Sequence, residues 1–327
     1  MNISVLGHGA WGSALAIHLS QQHQVTLWGR DSNAIQNMRE SHVNETYLPG
    51  ITLPTALKLS DDLLNTINET DLILVATPIA ALRSVLTTLQ PLIHNPVLWA
   101  CKGFEPKTGL LAHQIAAEIL GEKYPCAVIS GPSFAQELAK GLPTAVTLAS
   151  NDIELTQHLM QALHHPRLRL YGSQDVIGVE IAGAMKNIMA IAAGLSDGLS
   201  LGHNARAALI TRGLAEMSRL GVAMGGKSET FMGLSGLGDL VLTATGPLSR
   251  NYRVGKFLAE GQHLEVILKQ LGHVAEGVGA AFEVVNLANT YHVDLPISRM
   301  VEALLHRQIT AHQALESLLN REPKLEI

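Results

Sequence analysis

Short apolar runs rich in β-branched residues recur through the first half of the chain: ISVL at 3–6, VTLW at 25–28, LILVA at 72–76, PVLWAC at 96–101, CAVIS at 126–130, TAVTLA at 144–149 and RLRLY at 167–171. Helix-like segments separate most of them. At 60–70, Ser60-Asp61-Asp62 supplies a cap and an acidic first turn, after which Leu63, Leu64 and Ile67 share a face. At 79–90 the face is made by Leu82, Val85, Leu86 and Leu89. Runs this continuous are too apolar for a sheet with one wet side. The alternation therefore predicts a doubly wound, mostly parallel α/β sheet covered by helices on both faces.

After Tyr171 the pattern changes. Helical periodicity recurs at 181–195, 204–220, 251–260, 264–271, 279–291 and 297–319, with no strong strand run, so an all-α C-terminal domain is expected. The 327 residues, 47% hydrophobic and 16% charged, suit two domains with substantial cores. The expected division is 1–178 and 179–327.

A formal charge of −5 without a basic run argues against a nucleic-acid surface. Cys101 and Cys126 lie far apart in strand-like surroundings, which suits two buried thiols in a reducing compartment better than a disulfide or zinc framework. The scattered histidines, including His164-His165, lack carboxylate partners at ligand spacing, so no metal is assigned. MNISVLGHG enters a strand at once, without a signal-peptide pattern, and a cytoplasmic protein is expected. The apolar stretch from Gly178 to Leu199 approaches the length of a membrane span, but Glu180, Lys186, Asn187 and Asp197 interrupt it. A core helix explains it better, and leaves open why that helix holds an ammonium group.

Gly7-His8-Gly9-Ala10-Trp11-Gly12 follows the first strand and opens an apolar helix, the context of a dinucleotide fingerprint. Gly7 permits the tight turn, Gly9 lets the backbone approach a pyrophosphate, and Gly12 allows close packing. The helix N-terminus favours the anion. This makes the sheet Rossmann-type. The second strand ends at Arg30, where a guanidinium suits the 2′-phosphate of NADP; the alternative is a solvated arginine beside Asp31. Ala76-Thr77-Pro78, Cys101-Lys102-Gly103 and Ser130-Gly131-Pro132-Ser133 follow later strands, at the edge where open α/β sheets bind ligands. Lys102, directly after a buried strand, must reach water or an anion.

In the helical half, Gly233 to Leu240 is glycine-dense with Asp239 as its one charge. Asp239 either caps a helix or pairs with Lys186. Ser249-Arg250-Asn251 opens a helix after Gly246-Pro247 and reads either as a phosphate receptor or as a capped surface loop. Val274-Ala275-Glu276-Gly277 says little by itself.

Together, GHGAWG, ACKGF, ISGPSFAQELAKGLPTAV, EIAGAMKNIMAIAAGLSDG, NARAALITRGLAEMSRLG, FMGLSGLGDLVLT and SRN resemble the bacterial NAD(P)-dependent glycerol-3-phosphate dehydrogenases, from Gly7 to about Glu276. The resemblance implies interconversion of dihydroxyacetone phosphate and sn-glycerol 3-phosphate for phospholipid synthesis, by a homodimer. It implies that Lys186 donates and accepts the proton, with Lys102 and Asp239 beside it. It also places Ser249, Arg250 and Asn251 on the substrate phosphate, with Gly131 and Ser133 near the substrate and cofactor. Gly7, Gly9, Ala10, Trp11, Gly12, Arg30, Lys102, Ala135, Arg250, Val274 and Glu276 fall at cofactor positions. Ala10 stands where many relatives have serine, and His8 replaces a usual small residue. The competing readings are a reductase of a 3-hydroxy acid or ketopantoate, whose substrates carry a carboxylate in place of phosphate, and a nucleotide-sensing module without catalysis.

Overall fold

The computed structural model describes residues 1–272 and 275–320. Two compact units result: Met1–Glu105 with Leu110–Glu180, and Pro106–Gly109 with the described residues from Ile181 onward.

The first unit runs β1 (Asn2–Leu6), α1 (Ala10–Leu19), β2 (Gln24–Trp28), α2 (Ser32–Ser41), β3 (Val43–Asn44), β4 (Leu48–Thr52), β5 (Lys58–Ser60), α3 (Leu63–Ile67), β6 (Leu72–Val75), α4 (Ile79–Leu89), β7 (Val97–Trp99), α5 (Ala112–Leu120), β8 (Cys126–Ser130), α6 (Ala135–Ala139), β9 (Thr144–Ala149), α7 (Ile153–Ala162) and β10 (Leu168–Ser173). Among the described residues, eight strands form one sheet in the order β10-β9-β8-β7-β6-β1-β2-β5. All neighbours are parallel except β8 and β9. Ile3, Val5, Leu72, Leu74 and Leu98 pack on one face with Leu15, Ile35 and Leu159. Leu6, Ile73, Val75, Val97 and Trp99 pack on the other with Leu82, Leu86 and Ile115. Both sides of the pleat are buried, which is why the runs read as continuous rather than alternating. The strand order reverses between β1 and β6, so the carboxyl ends of those two strands flank the crevice where such sheets bind ligands.

The helix α8 (Val176–Gly198) begins in the first unit and continues into the second. There it is followed by α9 (Gly202–Ala223), α10 (Ser228–Phe231), a π-helical turn (Leu234–Gly238), α11 (Asp239–Thr245), α12 (Arg250–Ala259), α13 (Leu264–Leu271), α14 (Glu276–Thr290), α15 (Pro296–Leu305) and α16 (Ala311–Leu319). By length and composition α8 could cross a membrane, yet 94% of its apolar window is buried inside the protein. Its first charge is satisfied there: Glu180 accepts hydrogen bonds from Trp99 Nε1 at 2.7 Å and meets His113 Nδ1 at 2.6 Å.

Four expectations need correction. The helix expected at 60–70 is only Leu63–Ile67, because Ser60 ends the edge strand β5 and Asp62, not Ser60, caps the helix through Asn65 N. The hairpin β3–β4 and strand β5 were not anticipated; they are short and only partly buried, so they lack the apolar signature of the inner strands. The helix expected over 297–319 is two helices. Arg307 adopts a left-handed φ of 59°, and Thr310 starts α16 with a capping box to Gln313. Cys101 is buried, but Cys126 is only half-buried; burial and nearby Glu180 push its thiol up to about 12, which favours the thiol over the thiolate.

Candidate active site

At the end of β1 the three fingerprint glycines have different physical reasons. Gly7 has φ +117°, and a Cβ there would lie 2.8 Å from the carbonyl oxygen of Ala76. A Cβ on Gly12 would lie 2.0 Å from the carbonyl oxygen of Gly7, so the helix can approach the strand only with glycine there. At Gly9 a Cβ would meet nothing within 4 Å. That open face lies at the N-terminus of α1, whose cap residue supplies no side-chain hydrogen bond, so the first-turn amides face it without a side-chain acceptor.

Around this edge several buried polar atoms have no protein partner among the described residues: Trp11 Nε1, Thr77 Oγ1 after β6, and Ser130 Oγ at the end of β8. Trp11 also packs against the core, and Ala10 opens α1. His8 fits because Gly29 is glycine; a Cβ on Gly29 would lie 2.4 Å from His8 Nδ1. Burial lowers the basicity of His8, with Asp31 opposing the shift. Asp31 is engaged in capping α2 through Asn33 N and Ala34 N, while Arg30 is exposed and makes no hydrogen bond or ion pair among the described residues. Its guanidinium is available at the end of β2.

The loops after β7 and β8 meet. Lys102 Nζ lies 3.4 Å from the carbonyl oxygen of Gly131, to which Ser133 Oγ also donates at 2.9 Å. Gly131 has φ +148°, and a Cβ there would lie 2.9 Å from Val146 Cα, so the turn needs glycine. Ala135 begins α6 directly afterwards.

In the second unit Lys186 Nζ donates to Asp239 Oδ1 at 2.6 Å and to Thr243 Oγ1 at 2.9 Å. Thr243 Oγ1 in turn donates to the carbonyl oxygen of Asp239 at 2.6 Å. Lys186 is 8% exposed and Asp239 1%. Of the two readings of Asp239, the structure has the ion pair; the residue before it, Gly238, occupies the cap position of α11. A buried ammonium held by a carboxylate and a hydroxyl points its N–H groups in a fixed direction, an arrangement that can serve as a proton source.

A second chain of hydrogen bonds runs beside it. Asn251 Nδ2 donates to Asn187 Oδ1 at 2.9 Å, Asn187 Nδ2 donates to Glu276 Oε2 at 3.3 Å, and Gly277 N donates to Asn251 Oδ1 at 3.0 Å. Ser249 is buried and caps α12 by accepting from Tyr252 N at 3.2 Å. Arg250 is exposed, with no hydrogen bond or ion pair among the described residues. Val274 lies outside the described residues. Among the described residues no group of three or more His, Cys, Asp or Glu side chains could hold a metal ion.

Thr77 and Ser130 lie in segments expected at the ligand-binding edge, whereas two polar residues, Asn187 and Thr243, were missed as site candidates. Thr243 had a legible signal, since it follows Asp239 by one helical turn and so shares its face. Asn187 stands beside Lys186 in an otherwise apolar run.

The models of the NAD-dependent glycerol-3-phosphate dehydrogenase N-terminus and C-terminus match residues 2–156 and 175–316. The chain is 57% identical to the NAD(P)+ glycerol-3-phosphate dehydrogenase of Thiobacillus denitrificans, with 100% of both chains covered. It is 52% identical to that of Aromatoleum aromaticum, again over 100% of both. Among solved structures, the glycerol-3-phosphate dehydrogenase of Coxiella burnetii superposes with a TM-score of 0.94 at 44% identity, covering 98% of this chain and 99% of that one.

Proposed function

We infer that this chain, which belongs to the NAD-dependent glycerol-3-phosphate dehydrogenase family, interconverts dihydroxyacetone phosphate and sn-glycerol 3-phosphate with NAD or NADP. The observation that carries the reading is the buried Lys186 ammonium, 2.6 Å from Asp239.

The first unit suits the dinucleotide. The open face at Gly9 and the first-turn amides of α1 lie at the strand-order switch, and the buried hydroxyls of Thr77 after β6 and Ser130 at the end of β8 have no partner among the described residues. Gly7 and Gly12 hold the turn, Ala10 and Trp11 line the start of α1, and Arg30 awaits the ribose end of the cofactor. Lys102, Ala135, Arg250, Val274 and Glu276 are assigned to the cofactor on the family pattern. The nicotinamide, when bound, supplies or takes a hydride at the substrate's central carbon. Lys186 gives its Nζ proton to the oxygen of the reduced carbonyl and is left as the neutral amine, which regains a proton from water; in the reverse direction it takes the hydroxyl proton. Asp239 and Thr243 fix the direction of Nζ. Lys102, Gly131 and Ser133 orient the substrate, and Ser249, Arg250 and Asn251 hold its phosphate.

Arg250→Ala tests the phosphate assignment. A charge-assisted contact is worth about 1.5–3 kcal/mol, so the KM for dihydroxyacetone phosphate should rise roughly 10–100-fold, with less change in kcat. An unchanged KM would remove Arg250 from the phosphate. Ketopantoate, assayed in parallel, should not be reduced; turnover on it would favour the carboxylate-substrate reading.

For Arg30→Ala, kcat/KM measured with NADPH should fall about tenfold while the value with NADH stays within about twofold, because only NADP presents a 2′-phosphate to the guanidinium. Equal effects on both cofactors would return Arg30 to the solvated surface. The reading further assigns the enzyme to the cytoplasm as a homodimer, supplying phospholipid synthesis with a small phosphate ester and needing neither nucleic acid nor membrane insertion.

A further inference from the structure

The helix that bears Lys186 and the helix that begins at Arg250 touch backbone to backbone. A Cβ on Gly194 would lie 1.9 Å from the carbonyl oxygen of Tyr252, and one on Gly255 would lie 1.9 Å from that of Ile191. A Cβ on Gly198 would lie 2.5 Å from that of Ala259. Such a contact sets the distance between α8 and α12 closely. The glycines themselves contribute no side chain to fix rotation and sliding. Something else must fix them.

Hydrogen bonds to α8 do so at two points. Asn251 donates to Asn187 at 2.9 Å, next to Lys186. Tyr252 donates its phenolic O–H to Asp197 Oδ2 at 2.6 Å. From Asn187 to Asp197 the helix rises about 15 Å, so the first turn of α12 is held at widely spaced points.

Asp197 occupies a place that a helix by itself disfavours. It lies in the last turn of α8, where the macrodipole opposes a carboxylate. Arg206 offsets this by donating Nη1 to the same Oδ2 at 2.6 Å. Burial, and then Asp197 itself, raise the Tyr252 phenol above its ordinary range, so it stays a donor at neutral pH. A locally unfavourable carboxylate that is neutralised by Arg206, with its oxygen shared by a tyrosine, points to a task beyond helix stability.

We propose that Asp197 and Tyr252 are a positioning pair that sets Arg250 relative to Lys186, and so determines the preference for phosphate-bearing substrates. This rests on the phosphate role of Arg250 stated above. Without the Tyr252 hydroxyl the first turn of α12 pivots on Asn251, and the exposed Arg250 guanidinium moves most. Misplacement of a substrate clamp by a fraction of an ångström is enough to cost rate.

The test is Tyr252→Phe, assayed at saturating cofactor with dihydroxyacetone phosphate and with dihydroxyacetone. The kcat/KM for dihydroxyacetone phosphate should fall about tenfold, mainly through KM, while that for dihydroxyacetone stays within about twofold. In an Arg250→Ala background Tyr252→Phe should add no further loss, because it acts through Arg250. Equal losses on both substrates, or additive losses in the double variant, would overturn the proposal and leave Tyr252 a packing residue. Asp197→Asn, which keeps an acceptor for the phenol but weakens the Arg206 pair, should shift the same ratio by a smaller factor and serves if Tyr252→Phe folds poorly. If Arg250→Ala alone leaves the ratio of the two substrates unchanged, the phosphate assignment itself has failed, and this proposal with it, whatever Tyr252→Phe does.

Discussion

Lys186→Met should lower kcat at least about 100-fold, and as much as about 10⁴-fold, while NADH binding followed by nicotinamide fluorescence stays near wild type. Methionine keeps most of the apolar stem of lysine but removes the ammonium and its hydrogen bonds to Asp239 and Thr243, so urea unfolding is measured alongside. The glycine-rich turn proposed for the pyrophosphate lies in the first unit, whereas Lys186 Nζ is bound to Asp239 and Thr243 within the second. Its loss should therefore appear in the chemical step and not in cofactor affinity. Retained turnover would remove Lys186 from the mechanism; loss of NADH binding alongside turnover would mean that the variant had disturbed more than the proton donor.

The parts of the molecule that were legible are those in which local chemistry and burial point the same way. The inner strands β1, β6 and β7 are buried on both faces, so their apolar runs stood out, and the fingerprint glycines have steric reasons that follow from a tight strand-to-helix turn. The edge strand β5 gains only three backbone pairs with β2 and has one apolar residue, Leu59, so the helical signal of Leu63, Leu64 and Ile67 overran it. The break after α15 was legible and passed over: Thr310 with Gln313 is a capping-box spacing, and the apolar periodicity on either side masked it. In the site, the charged residues drew attention because an ion in an apolar run is costly. Thr243 and Asn187 did not, since a neutral polar side chain becomes expensive only once its burial is known. The roles of Asp197 and Tyr252 depend on two helices distant in sequence lying in backbone contact, which no local pattern expresses.

Asp239→Leu is expected to be the most destabilising single change at the site, and a paired variant separates that effect from catalysis. Removing one member of a buried ion pair costs about 3–5 kcal/mol, because the remaining charge stays out of water without its partner. Asp239 is 1% exposed and Lys186 8%, so little solvent is at hand to take over. Thr243 can still accept one hydrogen bond from Nζ, which places the loss toward the lower end of that range. Activity should fall too, as Nζ is no longer held in one direction. Adding Lys186→Met to Asp239→Leu should then restore most of the stability in urea unfolding, since an apolar pair of similar volume avoids both desolvation costs, yet activity should remain lost. Stability recovering without turnover would mean that the pair is kept for chemistry at a cost in folding. A double variant as unstable as Asp239→Leu alone would mean that the pair is chiefly structural, and the proton-donor role would lose the support that its burial now provides.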